Sequence, residues 1–404
     1  MAVRMATPLA LIGLLWVGMT SLDWVLRFTW FHWDRMFFAS AAQPRYMGDA
    51  KPLSVVNIEP KVGGDLAQML GHAALADGLA VEHPGGYQLF TDEYGLSNVP
   101  PTTGTVFQIV LAGDSYFLQG EGMSNTLGGR LSHLLKKPVY TVAHAGRGPV
   151  YPLSGALIHP YFRAQSPKVL VWGLAERDAT GFIFDGMAVE VMSHVYHEEA
   201  ENPSLQSRIL WKQLSPAILK KQLPNTSAVA QMMRKAWARI RPAVTKTVLS
   251  DVSVSADAVA GHRLLFYREN LKALFWTPQE RDVPRAKRAA HYAQKDYFKV
   301  RGIEWVILLI PEKEQVYREH VPVAAYPVNE AWPPSVFDAL EPALREEGIR
   351  VVNLLPVFRE AVTRGELIYW PDDTHWNERG IQLAAETLAR EIGASNENAS
   401  KQDP

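Results

Sequence analysis

The chain has 404 residues with 47% hydrophobic and 21% charged residues, a composition ordinary for a folded protein that buries a core in one large domain or two. Its formal net charge of −1 gives no general attraction to nucleic acid, and no nucleic-acid-binding motif is present. The absence of cysteine excludes disulfides, thiolate metal ligands and a thiol redox centre, although it does not identify the cellular compartment.

The N-terminal residues 1–38 predict a membrane anchor or a signal segment. An apolar run follows Arg4, but Asp23 and Arg27 interrupt it before it reaches the roughly 20 apolar residues of a clean spanning helix. Tryptophans and phenylalanines after the run are typical of an aromatic belt at a membrane surface. Three interpretations stay open: an uncleaved inner-membrane anchor, a cleaved signal peptide, and a core or interfacial helix. We favour the anchor, with the bulk of the chain facing the periplasm.

The body of the chain predicts a doubly wound α/β fold with a mostly parallel five-stranded sheet. The strand-like runs lie near residues 105–112, 139–143, 169–173, 303–310 and 350–354. Helical spacing at residues 126–136 fits a right-handed strand–helix–strand crossover between the first two strands. Residues 378–392 predict an amphipathic helix, and the polar residues 394–404 predict a disordered tail. The domain so defined spans residues 51–393.

A long segment at about residues 188–285 interrupts this pattern and predicts a helical insertion, because it exceeds an ordinary strand connection. From residue 206 to residue 250 it carries nine basic residues and no acidic one. The basic residues are Arg208, Lys212, Lys220, Lys221, Arg234, Lys235, Arg239, Arg241 and Lys246. Two interpretations stay open: a solvated face of helices, or a surface for anionic polysaccharide or anionic lipid headgroups.

Two short motifs carry the candidate chemistry. Ser115 lies on a Gly-Asp-Ser-Tyr turn directly after the first predicted strand, where a nucleophile would be exposed at the sheet edge. His375 lies in Asp-Asp-Thr-His-Trp, residues 372–376, just before the C-terminal helical pattern. A serine hydroxyl needs a base to take its proton, and that base needs an orienting anion. The motifs therefore predict acyl transfer through a serine ester.

These motifs resemble those of the SGNH (GDSL-type) hydrolase superfamily. The Asp-Thr-His-Trp form, with a Pro-x-Lys…Tyr segment at residues 311–317, is similar to the alginate O-acetyltransferase group, periplasmic SGNH-like proteins that acetylate exopolysaccharides. The resemblance covers about residues 85–392. It implies that Ser115 is the nucleophile, His375 the base and Asp373 the carboxylate. Asp372 stays an alternative, because many SGNH hydrolases place the acid three residues before the histidine.

The oxyanion hole is the place where the chain departs from the superfamily pattern. The resemblance implies a Ser115 amide, a glycine amide and an asparagine side chain, each donor being worth about 3 kcal/mol. Gly146 is the candidate glycine donor. The block at residues 171–178, where the asparagine is expected, contains none, and Arg177 could supply an N–H or a positive charge instead.

Further polar residues near the motifs are candidate substrate contacts, each with a structural alternative as a salt bridge or core residue. They are Tyr116, Arg147, Arg177, Lys313 and Tyr317. His144 could be a ligand or second base, although a hydrogen-bonded structural histidine is favoured. Asp-x-His could also belong to a metal site, but two ligands without a third nearby make a poor zinc site. We therefore expect no metal and no cofactor.

Together these features predict an O-acetyltransferase that moves an acetyl group through a serine ester onto hydroxyls of an alginate-like or related exopolysaccharide. The resemblance implies a polysaccharide acceptor and an acetyl donor supplied by a membrane-bound O-acyltransferase. A carbohydrate or lipid esterase is the alternative enzyme, because the same triad can pass the acyl group to water. A non-catalytic polysaccharide-assembly subunit is the alternative from another class, and the missing asparagine is its best support.

Overall fold

The computed structural model describes residues 18, 21, 48, 50–100, 105–164, 166–199, 251–275, 283–322, 325 and 331–400. Apart from Glu199, the elements considered below lie within Tyr46–Glu198 and Ser250–Pro404, which form one unit. A lead-in of short elements comes first: β1 (Val55–Ile58), β2 (Lys61–Val62), α1 (Asp65–Leu70), α2 (His72–Ala76), β3 (Glu82–His83) and β4 (Tyr87–Phe90).

The remaining strands and helices follow in chain order. They are β5 (Ile109–Gly113), α3 (Leu127–Leu135), β6 (Val139–Ala143), α4 (Val150–Ile158), α5 (Pro160–Ala164), β7 (Val169–Ala175), α6 (Gly181–Glu199), β8 (Val252–Val259), β9 (His262–Tyr267), α7 (Arg268–Leu274), α8 (Val283–Ala293), β10 (Glu304–Ile310), α9 (Lys313–Val316), α10 (Phe337–Arg345), β11 (Arg350–Asn353), α11 (Leu355–Thr363) and α12 (Glu378–Ser400).

Five parallel strands form the central sheet in the order β11-β10-β7-β5-β6, which confirms the predicted mixed α/β class and the five-stranded parallel sheet. Strands β5 and β7 are buried along their whole length, as expected when helices cover both faces of a parallel sheet. The chain runs from β5 to β6 on one side and then to β7 on the other. The crevice between the carboxyl ends of β5 and β7 is therefore the switch point at which ligands bind in open α/β sheets.

Stacked aromatic rings pack within the core around the central sheet. Trp172 on β7 stacks against Trp305 on β10 with ring centroids 6.1 Å apart, and Phe298 stacks on Trp305 at 4.6 Å. All three side chains are fully buried. Each such ring buries about 150–250 Å², so these contacts fix the spacing of the strands that carry the candidate site.

The predicted helical insertion needs a correction, because residues 252–267 form an antiparallel hairpin, β8–β9. Two residues connect the strands, Ala260 at φ 48° and Gly261 at φ 83°. Positive φ at both central positions is the geometry of a type I′ hairpin turn, whose twist matches the strands. The basic stretch at residues 206–250 lies outside the described residues.

The structure describes the C-terminal end of the chain more fully than the N-terminal end. Helix α12 continues to Ser400, beyond residue 394 where the sequence predicts a disordered tail. Extending an existing helix is far easier than nucleating one, so a polar continuation stays helical. Among the described residues no helix is long and apolar enough to cross a membrane. The predicted membrane segment at residues 1–38 lies outside the described residues, except for positions 18 and 21.

Candidate active site

The nucleophile turn begins where β5 ends. The Asp114 carboxylate accepts a hydrogen bond from the Tyr116 amide at 3.1 Å and caps the short 3₁₀ turn Ser115–Leu118. The Phe117 ring fills the space above two glycines, because a Cβ added at Gly113 or Gly173 would come within 2.6 or 2.5 Å of that ring. This close approach locks the turn that carries the serine against the ends of β5 and β7.

Ser115, His375 and Asp373 form a hydrogen-bonded chain. Ser115 Oγ lies 2.8 Å from His375 Nε2, and His375 Nδ1 lies 2.7 Å from Asp373 Oδ1. With the proton on Nδ1 donated to Asp373, Nε2 is free to accept the serine proton. The indole N–H of Trp376 donates to the Tyr116 carbonyl at 2.9 Å, which joins the two motifs across 260 residues of sequence.

The neighbouring carboxylate has a different partner. Asp372 is fully buried, and its Oδ1 lies 2.9 Å from His83 Nε2. Its Oδ2 accepts from the amides of Gly64 and Val81, both at 2.9 Å. Asp373 therefore pairs with His375, whereas Asp372 hydrogen-bonds to residues of the lead-in.

Charge around the imidazole stabilises its protonated form. Burial lowers the pKa of His375, but the hydrogen bond and charge of Asp373, followed by the charges of Asp65 and Asp114, raise it above its usual value. Burial raises the pKa of Asp373, yet the hydrogen bond and charge of His375 outweigh it and hold that pKa below its usual range. Asp373 therefore stays ionised as the imidazole gains a proton, which is the role of a triad carboxylate.

Asp65, the first residue of α1, is part of this site, and sequence reasoning missed it. Its amide donates to Asp373 Oδ2 at 3.0 Å, and its Oδ1 accepts from the Thr374 amide at 2.8 Å. The Thr374 hydroxyl donates to its Oδ2, which lies 3.9 Å from His375 Nδ1. No local pattern links residues more than 300 positions apart, so the sequence carried no signal for this contact.

Asp65 also supplies the third group that the sequence lacked for a metal site. The candidate ligand atoms of Asp65, Asp373 and His375 lie within 4.8 Å of one another. However, both oxygens of each carboxylate already accept hydrogen bonds from the protein, and His375 Nδ1 contacts Asp373. The protein's own donors thus occupy the positions that a cation would use.

Known proteins are similar to this chain. Residues 53–176 and 262–404 match the family model described as ALGX: SGNH hydrolase-like domain, acetyltransferase AlgX. The chain belongs to this family. The resemblance to the SGNH alginate acetyltransferase-like group is thereby confirmed. The family match leaves out residues 177–261, which include the whole basic stretch at residues 206–250.

Individual relatives are distant. The probable alginate O-acetylase AlgJ of Pseudomonas fluorescens is 28% identical over 98 residues, which cover 23% of this chain and 23% of that relative. A solved SGNH hydrolase-type structure from Slackia heliotrinireducens aligns with 71% of this chain and 100% of its own, with 14% identity and a TM-score of 0.33. Neither similarity is extensive enough to assign a substrate to this chain.

In this ALGX-family chain, Arg177 braces the nucleophile turn. Its Nη1 donates to both oxygens of Glu312 at 2.8 and 3.1 Å, and its Nη2 donates to Asp114 at 3.3 Å. The guanidinium also lies 5.7 Å from the centre of the Tyr116 ring. These contacts support a positioning role for Arg177, and its expected substrate or oxyanion contact stays a prediction.

Three further candidates for substrate contact are buried supports of the histidine loop, which corrects the expectation. Lys313 is fully buried and donates to the carbonyls of Trp370, Pro371 and Asp373 at 2.7, 2.8 and 3.0 Å. Burial lowers its pKa to about 8, partly offset by nearby carboxylates. The Tyr317 hydroxyl accepts from the Ile368 amide at 2.8 Å, and the Tyr116 hydroxyl donates to the Thr374 carbonyl at 3.2 Å. All three side chains are buried, and their hydrogen bonds support the loop.

The loop after β6 carries the other candidates. Gly146 is exposed at φ 68°, a conformation that favours glycine, and the His144 amide anchors the loop by donating to the Gly113 carbonyl at 3.2 Å. The buried His144 ring lies 4.7 Å from Tyr151, and the Arg147 guanidinium lies 4.7 Å from the same ring. The loop borders the nucleophile strand, and the oxyanion role of Gly146 stays a prediction.

Proposed function

We propose that this chain is a serine-dependent O-acetyltransferase that acetylates hydroxyls of an exopolysaccharide. The observation that carries the proposal is the continuous chain from Ser115 Oγ through His375 to Asp373, with contacts of 2.8 and 2.7 Å. Membership of an acetyltransferase family supports acetyl as the transferred group. The alginate acetylase relative supports a polysaccharide acceptor, either an alginate-like polymer or a related one.

The first half-reaction acylates the enzyme. His375 Nε2 takes the Ser115 proton as Oγ attacks the carbonyl of the acetyl donor, and the amides of Ser115 and Gly146 stabilise the oxyanion. The intermediate then collapses and expels the donor's leaving group, which takes the proton from His375. Asp373 remains ionised and stabilises the imidazolium between these two proton transfers.

The second half-reaction releases the acetyl group to the acceptor. A sugar hydroxyl gives its proton to His375 Nε2 and attacks the acetyl-serine carbonyl. The C–O bond to Ser115 breaks, and Oγ recovers the proton from His375. An esterase differs only in admitting water at this step, and family membership favours transfer. An intact triad is also unexpected in a non-catalytic assembly subunit.

We place the protein at the inner membrane, with residues 1–38 as an anchor and the SGNH-like domain at residues 51–393 facing the periplasm. The apolar run and its aromatic flank support this location. A membrane-bound O-acyltransferase that delivers acetyl groups across the membrane is the proposed donor partner. Fractionation and protease protection of the full chain would test the topology, and a cytoplasmic location would contradict it.

The chemistry is tested by Ser115→Ala. We expect this variant to lose release of aryl alcohol from an aryl acetate while keeping its circular dichroism spectrum. Ser132→Ala is the matched control, because Ser132 donates to the Lys137 carbonyl outside the site. Unchanged turnover in Ser115→Ala would reject the nucleophile. Mass spectrometry of an oligosaccharide incubated with protein and donor separates transfer, which adds acetyl groups, from hydrolysis, which leaves the sugar unmodified.

A further inference from the structure

A cavity of about 340 Å³ lies between the lead-in and the two catalytic motifs, within the size range of small-ligand sites. Its walls include residues 118–121, which follow the nucleophile turn, as well as Asp373 and Trp376 on either side of Thr374 and His375. Gln119 Nε2 donates to the Ser115 carbonyl at 3.1 Å, which ties this wall to the nucleophile. The cavity is therefore bordered by residues next to Ser115 and His375 in the two motifs.

Aromatic rings line the cavity. Trp370 and Tyr87 are half-buried and line it, and the His83 ring packs against Trp370 with centroids 4.4 Å apart. Asp372 holds His83 in place from the protein interior. Rigid, partly exposed rings with a polar edge suit the C–H faces of a sugar ring, which has hydroxyls around its rim.

Carboxylates also line the cavity. Glu59, Glu121 and Glu378 line it, whereas Lys61 is the only basic residue other than histidine among the lining residues described. Arg130 pairs with Glu378 but does not line the cavity. Burial and then the charge of Glu378 raise the pKa of Glu121, and burial followed by the charges of Glu121 and Glu378 raises that of Tyr87. The lining residues therefore carry more acidic than basic groups.

We propose that this cavity is the acceptor subsite and that it selects an uncharged, hydroxyl-rich sugar ring over a uronate. Carboxylates accept hydrogen bonds from sugar hydroxyls, but they repel a sugar that carries its own carboxylate. The inference rests on the proposed transfer function and narrows its substrate class. A polyuronate such as alginate has a charge on every ring and is disfavoured here.

Binding to the inactive Ser115→Ala protein tests the subsite separately from the chemistry. Isothermal titration would compare neutral hexasaccharides of glucose, mannose and galactose with a mannuronate hexamer at one fixed ionic strength. We expect at least one neutral hexamer to bind about tenfold or more tightly than the mannuronate hexamer. Equal or tighter binding of the mannuronate hexamer would overturn the proposal. No binding of any neutral hexamer at millimolar concentration would also overturn it.

Two variants locate the binding. Trp370→Ala should weaken binding of the neutral hexamer about tenfold, and Glu121→Gln should reduce the discrimination against the mannuronate hexamer. Tyr292→Ala is the matched control, because Tyr292 is an exposed tyrosine on α8. Binding that neither Trp370→Ala nor Glu121→Gln changes would place the acceptor elsewhere. Aryl acetate hydrolysis by the wild-type protein reports on the triad alone, so failure of the subsite and failure of the chemistry are distinguishable.

Discussion

Asp65 offers the sharpest test of how the site is built, because it acts on the histidine loop by hydrogen bonding and by charge. Asp65→Ala removes the acceptor of the Thr374 amide and hydroxyl bonds and a carboxylate 3.9 Å from His375 Nδ1. Hydrogen bonds to charged groups are worth about 1.5–3 kcal/mol. The Asp65 side chain is 35% exposed, so a combined loss of about 1–2 kcal/mol is the better figure. We expect kcat/KM for an aryl acetate to fall about 5- to 30-fold.

Asp65→Asn separates the two effects. It keeps an oxygen that can accept from the Thr374 amide but removes the charge, so most of the rate should return. Loss of a nearby anion lowers the pKa of His375, and the base works only when neutral. The acid limb of the pH–rate profile should therefore move to lower pH in both variants. The carboxylates of Asp373 and Asp114, which also face the imidazole, remain in place.

The assay is aryl acetate hydrolysis followed across the pH range, together with thermal unfolding of each variant. Asp77→Asn, which changes an exposed aspartate at the end of α2, is the matched control. A purely structural role would lower the melting temperature and leave the acid limb in place. Wild-type rates and an unmoved acid limb in both Asp65 variants would refute the reasoning.

Three further predictions concern the triad and its supports. In the wild type, the acid limb of kcat/KM should have its midpoint above the usual histidine value of about 6.5, because Asp373 and Asp65 raise the pKa of His375; a midpoint below it would contradict this charge arrangement. Gly64→Ala should lower the free energy of unfolding in urea by about 1–3 kcal/mol and remove most of the activity. The reason is that its Cβ would lie 2.6 Å from the Asp372 carbonyl oxygen and from Asp373 Cβ. Gly186→Ala, whose Cβ would meet its nearest neighbour at 3.7 Å, is the control, and equal behaviour of the two variants would argue against the close approach. Lys313→Met should lower the free energy of unfolding by about 1–3 kcal/mol, because three carbonyls lose their hydrogen-bond donor. Removal of a buried ammonium offsets part of this loss. A variant with unchanged stability and activity would show that the contacts are dispensable.

The sheet could be predicted because its information is local. Fully buried strands such as β7 are continuous apolar runs, and the observed bounds of β6 are those predicted. The first strand starts at Ile109, later than the predicted residue 105, because its pairing with β6 and β7 begins there. The two motifs were visible for the same reason, since each is a short run at a strand end or a helix start.

The hairpin β8–β9 shows where local patterns fail. Its turn is Ala-Gly, whereas the strong sequence signals for a two-residue turn are Asn-Gly and Asp-Gly. The helical patterning of the surrounding segment therefore extended across it in the prediction. Only the pairing of β8 with β9 decides between the two structures.

The supports of the site could not be predicted from the sequence. Lys313 follows a strand end, where polar residues commonly line a site, yet the loop at residues 370–373 folds over it. Asp65 and His83 contact the histidine motif across about 290 to 310 residues through single side chains. Such contacts leave no periodicity or spacing in the sequence.

Trapping the acyl-enzyme tests the central claim most directly. Protein quenched during turnover of an aryl acetate, without an acceptor sugar, would be digested and its peptides analysed by mass spectrometry. The account predicts one acetyl group on the peptide that contains Ser115, absent in Ser115→Ala and removed when an acceptor is added. Sustained turnover with no acetyl group at Ser115, or with the acetyl group on another residue, would contradict it.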